Sequence, residues 1–167
     1  MLHSAIVVKK MDAIEGCGLF ATQRIAEGEL VWELDEPKYS LAEVESWKGQ
    51  LQRDFKRYGF QCGEDQFSLP RGDSREMNHS CDPNTWWSGS EQLIARRDIL
   101  VGEEVTYDYA TCDIDLGIRM PCNCGAANCR GIVTHRDHLC GDWQKQYGKH
   151  LPPHVLASIE AHRRLQP

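Results

Sequence analysis

Apolar and polar residues alternate along this chain mostly with the short period of strands. Ala5 to Lys9 is rich in β-branched residues, and Glu29-Leu30-Val31-Trp32-Glu33 interleaves apolar and acidic side chains until Pro37 closes the run; both patterns predict strands. Ser40-Leu41-Ala42-Glu43 has the spacing of a capping box, in which Ser serves the third amide and Glu reaches back to the first. Leu41, Val44, Trp47, Leu51 and Phe55 then recur every three or four residues. That spacing predicts one amphipathic helix whose stripe packs on a core. Tyr58 to Cys62 and Gln66 to Leu69 predict strands paired across Gly63-Glu64-Asp65, and Trp86–Ser88 with Gln92–Ala95 a hairpin about Ser88-Gly89-Ser90. Leu100 to Tyr109 gives a turn and a last strand, in which Tyr107 and Tyr109 are two apart and so share a face. Ala110 to Met120 lacks a period and reads as a linker or lid. His154–Leu165, after Pro152-Pro153, has helical spacing, with proline ordinary at a helix start; it reads as a helix docked on the domain.

Two stretches break the pattern. Arg75-Glu76-Met77-Asn78-His79-Ser80-Cys81-Asp82-Pro83-Asn84 is too polar for a core strand, yet it lies between apolar runs. A polar loop held deep in a fold must find partners for its groups in backbone, ligand or metal. Glu15-Gly16-Cys17-Gly18-Leu19-Phe20-Ala21 carries a Gly-x-Gly, where the backbone can turn sharply and approach a ligand because no Cβ intervenes. Alone, that is more often an ordinary loop between strands. It is not a dinucleotide fingerprint, since the third glycine and the following helix are missing.

The chain has 167 residues, 41% of them hydrophobic, which suffices for one domain with a real core. Its net charge of −6 is spread out and no long basic run occurs, so nucleic acid is not an expected ligand. A basic peptide or protein partner suits an acidic surface better. Ala5-Ile6-Val7-Val8 is too short for a signal-peptide core, and its lysines follow it instead of preceding it. No run approaches a membrane span. A soluble intracellular protein, cytoplasmic by default with the nucleus as the alternative, is therefore expected, and there thiols stay reduced.

Eight cysteines then read as metal ligands and buried apolar residues. Cys122, Cys124 and Cys129 form Cys-x-Cys-x4-Cys, with Gly125 allowing the tight turn. A structural zinc site wants four tetrahedral ligands, and all-cysteine sets are common. No Cys-x-x-Cys redox motif competes. Cys17 lies between strands and Cys62 within a strand pattern, where a buried thiol is usual. Spacing does not choose the fourth ligand among Cys81, Cys112 and Cys140. His135 and His138 read as surface histidines, not ligands.

Taken in order, the Gly16–Gly18 stretch, Asn-His-Ser-Cys-x-Pro-Asn (78–84), Gly-Glu-Glu-x-Thr-Tyr-Asp-Tyr (102–109) and Cys-x-Cys-x4-Cys-Arg-Gly (122–131) resemble a SET-domain protein lysine methyltransferase with a post-SET zinc motif. The resemblance covers roughly residues 3 to 133. It implies a mainly β (α+β) fold of small antiparallel sheets, with a last strand tucked under the Asn-His-Ser-Cys loop as a pseudoknot, one inserted helix and a C-terminal helical tail. The division implied is a SET domain over 1–111, with a variable insert at 36–72, a post-SET motif over 112–134 and a tail over 135–167.

The resemblance also supplies roles. Cys81 joins Cys122, Cys124 and Cys129 on zinc. Gly16, Cys17, Gly18, Tyr58, Asn78, His79 and Asn123 become the residues for S-adenosylmethionine, with Asn123 over the adenine. Tyr109 matches the catalytic tyrosine, and Tyr107 the position that influences how many methyl groups are added, favouring mono- or dimethylation. The implied substrate is the ε-amine of a lysine in a protein, in a basic segment such as a histone tail. Methyl transfer from a sulfonium is an in-line displacement that mainly needs alignment. A neighbouring positive charge and a dry channel lower the amine pKa, so no dedicated strong base is needed. Glu76 stands where the family usually has an aromatic, Leu69-Pro70 replaces an acidic-small pair, and no cysteine-rich segment precedes the domain. These departures bear on the substrate groove more than on the chemistry. The competing expectation is an inert zinc-stapled module that grips a basic peptide; a plain zinc adaptor accounts for the knuckle alone.

Overall fold

The computed structural model describes residues 1–10 and 16–165, so Glu15 of the glycine motif lies outside the described residues. In chain order the elements are β1 (Ile6–Lys10), β2 (Cys17–Ala21), β3 (Leu30–Glu33), β4 (Lys38–Tyr39), α1 (Leu41–Ser46), α2 (Gly49–Tyr58), β5 (Phe60–Gly63), β6 (Gln66–Ser68), β7 (Asn78–His79), β8 (Thr85–Ser88), β9 (Gln92–Ala95), β10 (Glu104–Tyr107), β11 (Arg119–Pro121), β12 (Ile132–Thr134), α3 (Gly141–Tyr147) and α4 (Pro153–Leu165). They form small sheets: β1-β2-β10-β7, β3-β9-β8, β4-β6-β5 and the hairpin β11-β12. The small, mostly antiparallel sheets are those expected, but helix and strand contents are roughly equal, so the fold is α+β and not mainly β. Among the described residues no helix is long and apolar enough to cross a membrane.

Strand pairing is antiparallel except where β10 meets β7, in parallel, with Thr106 opposite Asn78 and Tyr107 opposite His79. The strand that ends at Tyr107 therefore lies against the Asn-His-Ser-Cys loop, as expected, although β11 and β12 follow it. Asn84 holds that loop from the other side. Its amide donates to Glu104 O at 2.7 Å and accepts from Thr106 N–H at 3.0 Å, so buried backbone groups of β10 are satisfied without another strand.

The single inserted helix is in fact two. The capping box at Ser40 and Glu43 forms, but Trp47 leaves helical geometry, with φ −65° and ψ 148°. Its ring packs edge-on to Tyr39 at 4.8 Å and to Phe55 at 5.4 Å. Gly49, at φ +62°, restarts the helix in a conformation that only glycine takes without strain. Restarting there turns Leu51 out of the stripe, to 45% exposure. Tyr58 is also corrected: it ends α2 and is not part of the following strand. The cause is Gly59, whose N–H closes the helix on Phe55 O at 2.8 Å. A Cβ there would lie 2.4 Å from the Phe55 ring.

The main core joins Leu19, Ile25, Val31, Trp32, Phe60, Trp87, Leu93 and Val105. A second core gathers Cys81, Cys122 and Val133 with Trp143, Tyr147, Leu151, Val155 and Ile159 of the tail. His138 is buried in this region, bonded to His135 O at 2.8 Å and to Ser158 Oγ at 3.0 Å, so it is not the surface histidine expected. Ala110 to Met120 is likewise not loose throughout. Ala110 to Asp113 are buried, and the buried Gln61 carboxamide accepts the amides of Ile114 and Asp115 at 3.0 and 3.1 Å.

Candidate active site

Asn78 and His79 occupy a short strand because β10 offers them one paired edge, and that pairing fixes their side chains. The Asn78 amide donates to Cys17 O at 2.9 Å and to Glu104 Oε1 at 2.8 Å. Gly18 makes room for both partners: a Cβ there would lie 2.5 Å from Glu104 Oε1 and 3.2 Å from the Asn78 amide nitrogen. The glycine stretch thus reaches the site through Asn78.

His79 is enclosed. Its Nδ1 accepts the Tyr109 N–H at 3.2 Å, which places the ring proton on Nε2, 3.4 Å from Cys81 Sγ. Burial pushes its pKa down to about 4 against the pull of Asp108, so the ring is neutral at ordinary pH. The Tyr109 hydroxyl donates to Met77 O at 2.9 Å. With its proton directed there, what that oxygen offers a ligand is acceptor capacity.

Tyr109 lines two cavities. The first, about 370 Å³, is lined by Tyr58, Asn78, His79, Tyr109 and Asn123, with Glu76 and two arginines at its edge. The second, about 560 Å³, is lined by both Tyr107 and Tyr109 and by Phe60. Both volumes suit small-molecule or side-chain ligands. The rings of Tyr107 and Tyr109 lie 4.8 Å apart, but not as two positions of one strand: β10 ends at Tyr107, and Tyr109 opens a tight 3-10 turn capped by Asp108. Burial raises the Tyr107 phenol well above its ordinary value, so it stays protonated. Gly16, Cys17 and Gly18 line neither cavity.

The structure brings four of the candidate cysteines together. The sulfurs of Cys81, Cys122, Cys124 and Cys129 lie within 4.8 Å of one another. Cys112 instead donates its thiol to Tyr109 O from a buried position, and Cys140 is exposed. Four sulfurs at about 2.3 Å from a tetrahedral ion must sit about 3.8 Å apart; Cys81 and Cys129 lie 3.8 and 3.7 Å from Cys122. The amides of Cys81 and Arg130 donate to Cys124 and Cys81 sulfur, each at 3.4 Å, which suits sulfur bearing negative charge. The donor set can hold a metal ion.

Asp108, between the two tyrosines, was not singled out by its sequence. It is 1% exposed and gathers the Arg130 guanidinium on both oxygens at 2.7 Å, Tyr147 hydroxyl at 2.7 Å and Trp143 indole N–H at 3.0 Å. Burial alone would push its carboxyl up; the Arg130 guanidinium and the Tyr147 hydroxyl overcome that and hold it below the usual range. Arg130 also lies 2.8 Å from Asp137. The turn carrying Tyr109, just after β10, is thereby tied to the knuckle and to α3. The apolar-faced pair Trp143 and Tyr147, four apart, is the signal that marks α3 as a packed helix.

The sequence profile described as the SET domain matches residues 16–110, more than half of the chain. The chain belongs to the SET-domain family. Among its relatives are a Histone-lysine N-methyltransferase, H3 lysine-4 specific, of Cryptococcus neoformans, 36% identical over 74% of this chain and 9% of the relative. Human Histone-lysine N-methyltransferase 2B is 36% identical over 74% of this chain and 5% of its own length. Histone-lysine N-methyltransferase ASHH3 of Arabidopsis thaliana is 33% identical over 81% and 42%. The SET chain thus spans less than half of each of these relatives. The crystal structure of the methyltransferase domain of human Histone-lysine N-methyltransferase SETMAR shares the fold, with TM-score 0.58 and 24% identity over 78% of this chain and 58% of that one.

Proposed function

We propose that this SET chain is an S-adenosylmethionine-dependent protein-lysine N-methyltransferase, with zinc on Cys81, Cys122, Cys124 and Cys129. The observation that carries the reading is Tyr109 lining two cavities at once, one with Asn78, His79 and Asn123 and the other with Phe60 and Tyr107. A donor and an acceptor brought to one tyrosine from two adjoining cavities are what a transferase needs. In this reading the SET domain covers 1–111 with a variable insert at 36–72, the post-SET motif 112–134, and the tail 135–167.

The first cavity fits the cofactor in size and in kind, with Asn78, His79 and Asn123 as polar partners, Tyr58 as an aromatic wall and Arg57 and Arg75 as cations for a carboxylate. Gly16 to Gly18 contribute by shaping Asn78. When bound, the cofactor supplies a methyl group on a positively charged sulfur. Tyr109 oxygen, its proton committed to Met77, accepts weak contacts from the amine and from methyl hydrogens and so aims one at the other. Tyr107, protonated, narrows the second cavity and favours one or two methyl groups. Phe60 and the two tyrosines give the second cavity an apolar face beside its cations; desolvation on that face and nearby positive charge both lower the lysine pKa from about 10.4 toward the neutral amine.

The relatives' names make a histone lysine one candidate substrate, which would place the chain in the nucleus and not the default cytoplasm. Incubation with labelled S-adenosylmethionine and lysine-rich proteins tests the reading. Wild type should label lysine, and Tyr109→Phe should lose about 10²–10³ of the rate, the scale of one oriented polar contact at a reacting centre. Equal labelling by both would reject Tyr109. Binding of basic peptides with no labelling by wild type would favour the inert module.

A further inference from the structure

The second cavity has a charge that the whole chain does not. α2 gives it Lys56 and Arg57, the turn after β6 gives Arg75 and β11 gives Arg119, against one carboxylate, Asp113. Asp113 is buried, and its two oxygens accept the amides of Leu116 and Ile118 at 2.8 and 3.3 Å. Arg75 is partly accounted for by Pro70 O at 2.6 Å and by Asp54 at 3.9 Å. Arg57 and Arg75 also line the first cavity, where a cofactor carboxylate would engage them. Lys56 and Arg119 line only the second cavity. They are exposed, come from different elements, α2 and β11, and among the described residues form no ion pair.

We propose that this mouth selects a lysine whose neighbours in the substrate chain are anionic, either carboxylates or phosphorylated side chains. The inference rests on the lysine-methyltransferase reading and narrows its substrate. A net charge of −6 favours basic partners at a distance. Within about 8 Å, the screening length at physiological salt, the local cations decide. Residues flanking a lysine inserted between α2 and β11 must pass Lys56 and Arg119, and a basic flank there meets like charge from both elements.

The test uses the full chain and fluorescence anisotropy with labelled peptides that share a central lysine and carry Glu, phosphoserine, Ala or Lys flanks. Each exposed pair is worth up to about fivefold in affinity, so Glu flanks should bind about tenfold or more tighter than Lys flanks, with the gap closing at high salt. The double variant Lys56→Glu/Arg119→Glu, checked by circular dichroism for an unchanged fold, should invert the order. A gain for phosphoserine alone assigns the anion to phosphate, and an equal gain for Glu assigns it to a carboxylate; both support the proposal. Lys flanks that bind as well as Glu flanks, an order unmoved by the double variant, or binding of none of the peptides would overturn it. Methyl transfer to the same peptides is scored separately: anion preference without turnover counts against the activity and leaves the flank preference standing.

Discussion

Asp108→Asn keeps the size of the side chain and removes its charge from a position where Arg130, Trp143 and Tyr147 all donate to it. The asparagine has one acceptor oxygen for donors now served by two, and its own NH2 faces them. Arg130, with a side chain only 20% exposed, loses its bidentate partner. Breaking a buried pair from one side costs about 3–5 kcal/mol. Asp137 stays 2.8 Å from the guanidinium, so the lower end, about 3 kcal/mol, applies here. At this chain length each kcal/mol moves Tm by about 2–4 °C, so the expected drop is roughly 6–12 °C. Thermal and urea unfolding at pH 7 read it directly. The folded-state pKa of Asp108 is depressed, so its contribution is full above the unfolded value of about 3.9 and is lost as pH falls through the lower folded value. The gap between wild type and variant should therefore narrow as pH falls below the unfolded aspartate value of about 3.9. Tyr147→Phe alone should cost about 1.5–3 kcal/mol as a hydrogen bond to a charge, and less in the Asp108→Asn background. A variant within about 1 kcal/mol of wild type, or strictly additive effects, would refute the idea that Asp108 ties the tail to the Tyr109 turn.

Tyr107→Phe removes the hydroxyl that narrows the lysine cavity, and intact-mass spectrometry of the product should show a shift toward higher methylation; an unchanged distribution would count against the assignment. Gly59→Ala should destabilise by about 1–3 kcal/mol, because the added methyl meets the Phe55 ring and carbonyl at 2.4 and 2.6 Å; a denaturation midpoint at the wild-type value would show that α2 can end elsewhere. Cys112→Ser should leave metal content unchanged while Cys81→Ser lowers it, as read by a colorimetric thiol-release titration; the reverse order would move the fourth ligand to the Tyr109 turn.

What could be read from the sequence was what is local. Cys122, Cys124 and Cys129 announce themselves because their spacing is itself a ligand geometry. The polar loop at 75–84 stands out because Asn, Ser and Asp between apolar runs cannot be core. Cys81 lies 41 residues from Cys122, and only the parallel meeting of β7 with β10 brings it there. The helix stripe from Leu41 to Phe55 misled because its spacing continues through Trp47, where ring packing on Tyr39 and Phe55 outweighs helix continuation. Tyr58 was misplaced by two strand-like aromatics, whereas Gly59 was the stop. Asp108 was invisible for a different reason: its partners come from residues 130, 143 and 147, and a carboxylate at the end of a strand looks solvent-facing until they fold over it.

The most direct test of the whole arrangement is calorimetric titration of S-adenosylmethionine into the metal-loaded chain and into the same chain stripped by a chelator. Cys122, Asn123 and Cys124 line the first cavity, so the cage and the cavity wall are one structure. The expected result is one site per chain with zinc bound and a loss of tenfold or more in affinity without it (~, from the scale of losing a supporting shell). Equal affinity in both preparations, or no binding to either, would contradict a cavity that the sulfur cage completes.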